Sequence, residues 1–307
     1  MAAEKICAVI VTYNRLSSLK ACIEGLYHQT REPDLIIIVN NGSSDGTKEY
    51  LDKIQNNKIH VIHQGNSGGA GGFHTGLSYF LTLDFDWAWC MDDDGLPDDC
   101  ALEALINTPD FGICVKNSLV LDSGNKTIPS FSIQPSEKRH LNNEFILNYA
   151  SFFNGTLIHR EILLEAGLPL KKLFIHGDEV EYFYRIKNRY KYPVITVTKS
   201  RFYHPSGETL YRSEWGEQQY FKLFYFIVNF PYSNYDREIP LSKSRFLFSI
   251  FLLREFFILA GVAWKQKKYK LRKILFVLIT SFLSLFRIRL QPESVRKLTN
   301  RFIKSDS

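Results

Sequence analysis

Apolar positions in the first hundred residues fall into two alternating rhythms. ICAVIVTYN, DLIIIVNN, KIHVIHQ and WAWCMDDD are short apolar runs that end in polar or turn residues. Such runs are read as strands buried in a sheet. Between them, Leu16, Leu19, Ile23 and Leu26 recur at spacings of three and four, which predicts an amphipathic helix. Further helices are expected after SSDGT, through GLSYFLTL beyond a glycine-rich loop, and through PDDCALEALI. Strands alternating with helices predict an α/β fold with a doubly wound parallel sheet. Ligands in such sheets bind beyond the carboxyl ends of the strands. The loops Thr12–Arg15, Asn40–Asp45 and Asp92–Asp94 all lie at such ends and should converge.

From about Phe111 the rhythm loosens. SFFNGTLIHREILLEAGLP reads as strand–helix, KLFIHGDEVEYFYRIKNRY as loop–helix, and YPVITVTKSRFYHPSG as a strand leading to His204. From 241 onward, apolar stretches alternate with basic ones. This predicts a body over 1–240, with a nucleotide half at 1–110 and an acceptor half at 111–240, followed by a basic helical tail over 241–307.

Charge sharpens that division. Residues 241–307 carry 15 Lys and Arg against 3 Asp and Glu, whereas residues 1–240 carry 23 against 29. An acidic body on a basic apolar tail calls for an anionic surface as the tail's partner. The basic clusters are interleaved with Leu, Ile and Phe, which suits lipid and argues against nucleic acid. Neither apolar stretch suits a membrane span. One is broken by Arg254–Glu255, and ILFVLITSFLSLF is shorter than the roughly 20 residues needed. An interfacial helix fits better, with a self-packed subdomain or homo-oligomer interface as the alternative. The chain runs almost at once from Met1 into its first strand, and its five cysteines form no CxxC pair. Both features lead to the expectation of a cytoplasmic compartment and a peripheral position on the inner face of the cell membrane.

The chemistry concentrates in NSGGAGGF (Asn66–Phe73) and MDDDG (Met91–Gly95). No GxGxxG follows the first strand and no GK[ST] is present, so the dinucleotide fingerprint and the Walker loop are excluded. Behind an apolar strand, Asp92 and Asp94 stand two residues apart, on one side of an extended chain. That spacing suits a hard divalent cation that also binds a diphosphate; the plainer alternative is a solvated acidic turn capping the next helix.

VIVTYNR, IIIVNNGSSDGT, NSGGAGGF, MDDDGLPD and FIHGDEVEYFYR, in that order, resemble the family 2 inverting glycosyltransferases of GT-A fold. The pairing of GGAGGF with MDDD is most similar to the bacterial galactofuranosyltransferases, with rhamnosyltransferase-like members close by. The resemblance implies a UDP-sugar donor and Mn²⁺ or Mg²⁺ held by Asp92, Asp94 and His204. It implies a lipid-linked or polysaccharide glycan as acceptor. Thr12, Tyr13, Arg15, Asn40 and Asn41 fall in the loops that cradle the nucleotide in the family. Gly69 and its neighbours fall near the donor sugar, and Asp93 is the solvent-side or ribose-contacting member of the triplet. Glu179 aligns with the catalytic base, with Asp178 as the competing residue. Glu181 either binds acceptor hydroxyls or orients its helix, and His176 faces acceptor or leaving group. Trp215 and Tyr211 lie in a segment that forms either an acceptor wall or core. The rival readings are a sugar nucleotidyltransferase and a non-catalytic nucleotide-binding module. The first would carry a Gly-rich basic loop where TYNR stands.

Overall fold

A computed structural model of the chain describes residues 4–130, 141–205, 217–233, 254, 256–261, 263–264, 270–286 and 288–303. Trp215, Tyr211 and the residues 241–253 of the tail lie outside the described residues. The chain divides into two compact units. One comprises Met1–Phe174 with Arg185–Gly207, the other Ile175–Tyr184 with Glu208–Ser307. The division differs from the expected break at 240, because the acidic motif groups with the helices that follow Glu208.

The first unit is a nine-stranded sheet in the order β3-β2-β1-β4-β8-β6-β9-β5, with β7 also on β9. The strands are β1 (Ile6–Thr12), β2 (Leu35–Asn40), β3 (Ile59–His63), β4 (Trp87–Asp92), β5 (Leu96–Pro97), β6 (Val115–Asp122), β7 (Phe145–Leu147), β8 (Asn154–His159) and β9 (Val194–His204). The first four pair in parallel, as the continuous apolar runs predict; every residue of β1 is buried. The other half departs from the parallel expectation. β8 runs antiparallel to both β4 and β6, while β7 and β5 run antiparallel to β9. The sheet is therefore mixed.

Helix α1 (Leu16–Tyr27) buries Leu19, Cys22, Ile23 and Leu26, the spacing read from the sequence. The glycine-rich run is not a loop. It forms the first turns of α3 (Gly68–Phe80), which follows the short α2 (Thr47–Leu51). The glycines let α3 lie close on the sheet: a Cβ at Gly72 would come within 2.4 Å of Val11, and one at Gly76 within 2.6 Å of Val9. Helices α4 (Ala101–Ile106) and α5 (Arg160–Ala166) complete the unit. The cysteines are free, four of them buried and Cys100 exposed.

The second unit is helical: α6 (Asp178–Tyr184), α7 (Glu217–Ser233), α8 (Lys270–Leu285) and α9 (Pro292–Ile303). Among the described residues no helix is long and apolar enough to cross a membrane.

Candidate active site

Strand order dictates what meets in the first unit. β2, β1 and β4 are adjacent and parallel, so their carboxyl ends deliver Asn40, Thr12 and Asp92 to one edge. The loops beyond are tied together. Asn14 accepts from the Ser44 N–H at 2.7 Å and donates its own N–H to Ser43 Oγ at 3.0 Å, and the Leu16 N–H reaches Asp45 at 3.0 Å. The expected convergence of the loops is observed.

The aspartate triplet is set by a short strand pairing. Leu96 in β5 pairs with Tyr203 in β9, so Asp94, two residues before Leu96, comes to lie beside His204, one residue after Tyr203. Gly95 makes the turn possible, since a Cβ there would meet the Phe202 ring at 2.1 Å. His204 Nε2 stands 3.2 Å from Asp94 Oδ1, and Arg15 Nη1 lies 2.6 Å from Asp94 Oδ2. Arg15 also donates to Asp93 at 3.1 Å, and Thr12 Oγ1 donates to the other oxygen of Asp93 at 2.6 Å.

Asp93 is thus not the solvent-side member of the triplet. It is buried and carries Thr12 and Arg15, because the chain leaves the strand after Asp92 and the simple alternation of sides ends there. Arg15, assigned to the nucleotide loop, is the bridge between two carboxylates. No spacing in the sequence signals that contact.

Electrostatics here are those of crowded carboxylates. Burial, and then the neighbouring Asp94 and Asp93, push the Asp92 carboxyl up to about 8. Burial also raises Asp93, against the pull of Thr12 and Arg15. Burial works the same way on Asp94, but His204 and Arg15 outweigh it and hold that carboxyl below its ordinary value. Asp94 Oδ1 is buried and, although His204 is close, receives no well-aligned hydrogen bond. A buried oxygen of this kind among crowded carboxylates fits a cation. Asp94 and His204 are in contact; burial lowers His204, but Asp94 chiefly, with the Pro205 carbonyl and Asp92, raises it above its ordinary value. No group of three His, Cys, Asp or Glu is set as a ready-made cation site among the described residues.

The asparagines are spent on structure. Asn41 Nδ2 donates to the Gly68 carbonyl at 2.9 Å, and its Oδ1 accepts from Gln64 and from the Ser67 N–H. Asn40 bridges His63 and the Ser43 N–H. Both are 2% exposed and their amides are engaged by the protein's own groups. Tyr13 is 39% exposed, and at Gly69 in the first turn of α3 there is open space where a Cβ would project.

The acidic motif belongs to the second unit. Asp178 and Glu181 are buried at the start of α6 and Glu179 is exposed. Burial pushes the Asp178 carboxyl up to about 6, opposed by the Asp178 and Glu179 N–H groups and aided by Glu181. Glu181, assigned either to acceptor or to its helix, has the burial of the helix-orienting role. His176 adopts φ +60° and its Nε2 is buried without a hydrogen-bond partner among the described residues. Burial, then Lys222, lowers its pKa to about 4.

Residues 7–157 match the pattern described as Glycosyl transferase family 2. The chain is 32% identical over 219 residues to galactofuranosyltransferase GlfT1 of Mycobacterium tuberculosis, spanning 66% of this chain and 71% of the relative. It is 26% identical over 213 residues to the glycosyltransferase EpsH of Bacillus subtilis, spanning 64% and 59%. In fold it resembles the crystal structure of GalNAc-T7 with UDP, GalNAc and Mn²⁺, at TM-score 0.54 and 17% identity over 81% of this chain and 55% of that one. It also resembles S. aureus TarS 1–349 in complex with UDP, at TM-score 0.51 and 12% identity over 95% and 91%.

Proposed function

The chain belongs to glycosyl transferase family 2, and from that membership we propose that it moves galactofuranose from UDP-galactofuranose to a lipid-linked or polysaccharide glycan, inverting the anomeric centre. Its class as a glycosyltransferase follows from the family; the sugar, acceptor and stereochemistry are the proposal. The similarity to galactofuranosyltransferase GlfT1 favours the furanose donor. The observation that carries the reading is Asp94 at the strand ends, with Arg15 on one oxygen and His204 at 3.2 Å from the other, buried one, in a run of three aspartates.

Asp92, Asp94 and His204 are the residues that would hold a divalent cation, and the imidazole favours Mn²⁺ over Mg²⁺. Such a cation supplies Lewis-acid neutralisation of the departing diphosphate. The remaining work falls to side chains. Thr12 and Arg15 hold Asp93 in place, so the triplet keeps its shape when the donor arrives. Tyr13 offers an exposed ring beside the nucleotide loops, and Gly69 leaves room for the donor sugar. Glu179, exposed at the start of α6, takes the proton from the acceptor hydroxyl as that oxygen attacks. Asp178, buried beside it, stays the secondary choice.

The proposal includes a cytoplasmic enzyme lying on the inner face of the membrane; free thiols suit that compartment. Support for the membrane comes from α8. Leu271, Leu275, Leu278, Phe282 and Leu285 recur at spacings of four and three and are all exposed, Leu271 to 77%. Phe276, Val277, Thr280 and Ser284, on the opposite face, are fully buried. The stripe spans about 21 Å at 1.5 Å per residue, and Arg296, Lys297 and Arg301 are exposed on α9. An apolar stripe accompanied by basic residues suits an anionic headgroup layer.

The test is donor choice. UDP release and product are measured with UDP-galactofuranose, UDP-galactopyranose, UDP-glucose and dTDP-rhamnose on a lipid-linked glycan acceptor. Turnover with UDP-galactofuranose alone supports the reading, and the anomeric configuration of the product tests inversion. Preference for dTDP-rhamnose overturns the donor and favours the rhamnosyltransferase alternative.

A further inference from the structure

The turn that leads into the acidic motif is held from an unexpected quarter. Asn229 lies on α7, is 1% exposed, and belongs to no recognisable motif. Its Nδ2 donates to two consecutive backbone carbonyls, Ile175 at 3.0 Å and His176 at 2.7 Å. Its Oδ1 accepts from Arg289 Nη2 at 3.2 Å. Arg289 stands in the basic tail, between α8 and α9. The chain of contacts therefore runs from the tail, through one buried amide, to the two residues that precede Gly177 and Asp178.

That turn needs holding. His176 has φ +60° and Gly177 φ +86°, so a non-glycine residue sits in the left-handed region directly before the helix. Such residues persist when their surroundings over-determine them. A single amide donating to both carbonyls does so, because the two carbonyls can keep that one partner only in one relative orientation. The first turn of α6 begins immediately afterwards, with the Glu181 N–H on the Gly177 carbonyl at 2.9 Å. Asp178 and Glu179 inherit their direction from this turn.

We propose that Asn229 and Arg289 are positioning residues for the acidic motif: Arg289 orients the Asn229 amide, and the amide fixes the turn that aims Glu179. The inference rests on the reading of Glu179 as the base. It makes the basic tail part of the catalytic unit, in addition to any role on a surface. Neither residue touches substrate in this scheme. Both act through the placement of a carboxylate, for which a displacement near 1 Å costs on the order of 10²-fold.

The test uses the full-length protein and four variants. Asn229→Asp keeps an oxygen toward Arg289 but turns a carboxylate oxygen on the two carbonyls. Arg289→Met removes the orienting donor, Arg289→Lys restores a charged donor, and Glu179→Gln removes the base. UDP affinity is measured by calorimetry and kcat and KM by UDP release. Asn229→Asp is expected to lower kcat by ~10- to 100-fold, with UDP affinity and donor KM within about twofold. Arg289→Met is expected to lower kcat by less and Arg289→Lys to recover most of it. Combining Asn229→Asp with Glu179→Gln should add little to the loss from Glu179→Gln alone, because residues acting through one another are not additive. Full kcat in both Asn229→Asp and Arg289→Met overturns the positioning role while Glu179→Gln still reports on the base. A multiplicative loss in the double variant, or parallel loss of UDP affinity, also overturns it and marks general structural damage. If Asn229→Asp does not fold, the Arg289 pair decides alone: equal activity in Met and Lys variants refutes the proposal. If Glu179→Gln keeps full activity, the base assignment fails first, and the inference with it.

Discussion

The two units handle carboxylates in opposite ways. In the first, three consecutive aspartates are gathered at the ends of parallel strands and partly matched by Arg15, Thr12 and His204, all brought there by strand pairing. In the second, Asp178 and Glu181 are buried at a helix start whose approach is pinned by Asn229 and Arg289, from later helices. The first arrangement collects negative charge that a cation can use. The second raises one carboxyl by burial and leaves its neighbour Glu179 exposed. Under the proposed function, the residues assigned to binding and the residue assigned to proton transfer belong to different units.

The sharpest way to break that comparison is to disable each unit separately. Asp94→Asn is expected to lower transfer by ~10²- to 10³-fold, the scale of losing one electrostatic stabiliser. It should also abolish any gain in UDP affinity from Mn²⁺, read by calorimetry with and without EDTA. Glu179→Gln is expected to lower transfer by ~10²-fold or more, with UDP affinity unchanged. If Asp178→Asn gives the large loss and Glu179→Gln a mild one, the two acids exchange roles. Loss of UDP affinity in Glu179→Gln would deny the division of labour altogether.

A smaller effect tests how the first unit is built. Gly76→Val puts new atoms where a Cβ alone would already stand 2.6 Å from Val9 and 3.2 Å from Val39. Overpacking of this kind costs about 1–3 kcal/mol. Chemical denaturation should show that loss, whereas Gly69→Ala, facing open space, should show little. Equal losses at both positions would mean that the glycines serve backbone conformation rather than the approach of α3 to β1.

The second unit's outer face offers a still smaller test. Phe282→Glu places a charge on the exposed stripe of α8 without touching its buried face. Binding to vesicles containing anionic lipid should weaken in the variant. In the parent it should weaken as salt rises, with each basic residue near the surface contributing about 1 kcal/mol. Unaltered vesicle binding would remove α8 from the interface. A change of mass in solution instead would identify the stripe as a contact between copies.

The comparison also explains what could be read from the chain. β1, β2, β4, α1 and the gathering of the loops were legible, because consecutive apolar residues and the rule of strand ends are local properties. The antiparallel direction of β8 was not, since no local apolar pattern encodes which neighbours a strand takes or which way it runs beside them. The glycine run was taken for a loop because its partners, Val9 and Val11, lie some sixty residues earlier. Arg15 on Asp94 and Asn229 on Ile175 are contacts between distant stretches, and no periodicity encodes them. The family resemblance singled out the carboxylates by their place along the chain. It could not say that Asn40 and Asn41 would be occupied by the protein's own groups.

A final expected effect, visible only as a difference between two pH profiles, concerns protons in the turn before α6. His176 is lowered to about 4, first by burial and then by Lys222, while Asp178 two residues on is raised to about 6 by burial and Glu181. The signs oppose each other. As pH falls from about 6.5 towards 4, the unfolded chain protonates its histidine and the folded chain does not, so His176 withdraws stability. Over the window from about 6 to 4 the folded chain protonates Asp178 before the unfolded chain does, so Asp178 adds stability. In the parent protein the two contributions offset each other. His176→Gln removes one and leaves the other, so its stability relative to the parent should rise by about 2–3 kcal/mol as pH falls from 7 to 4.5, because the depression from 6.5 to about 4 acts over some two pH units of that range, each worth about 1.4 kcal/mol. Subtracting the two curves cancels every other titrating group, including Asp92. Urea denaturation at a series of pH values supplies both curves. Parallel curves would mean that His176 titrates normally in the folded state, and that the turn held by Asn229 is open to water.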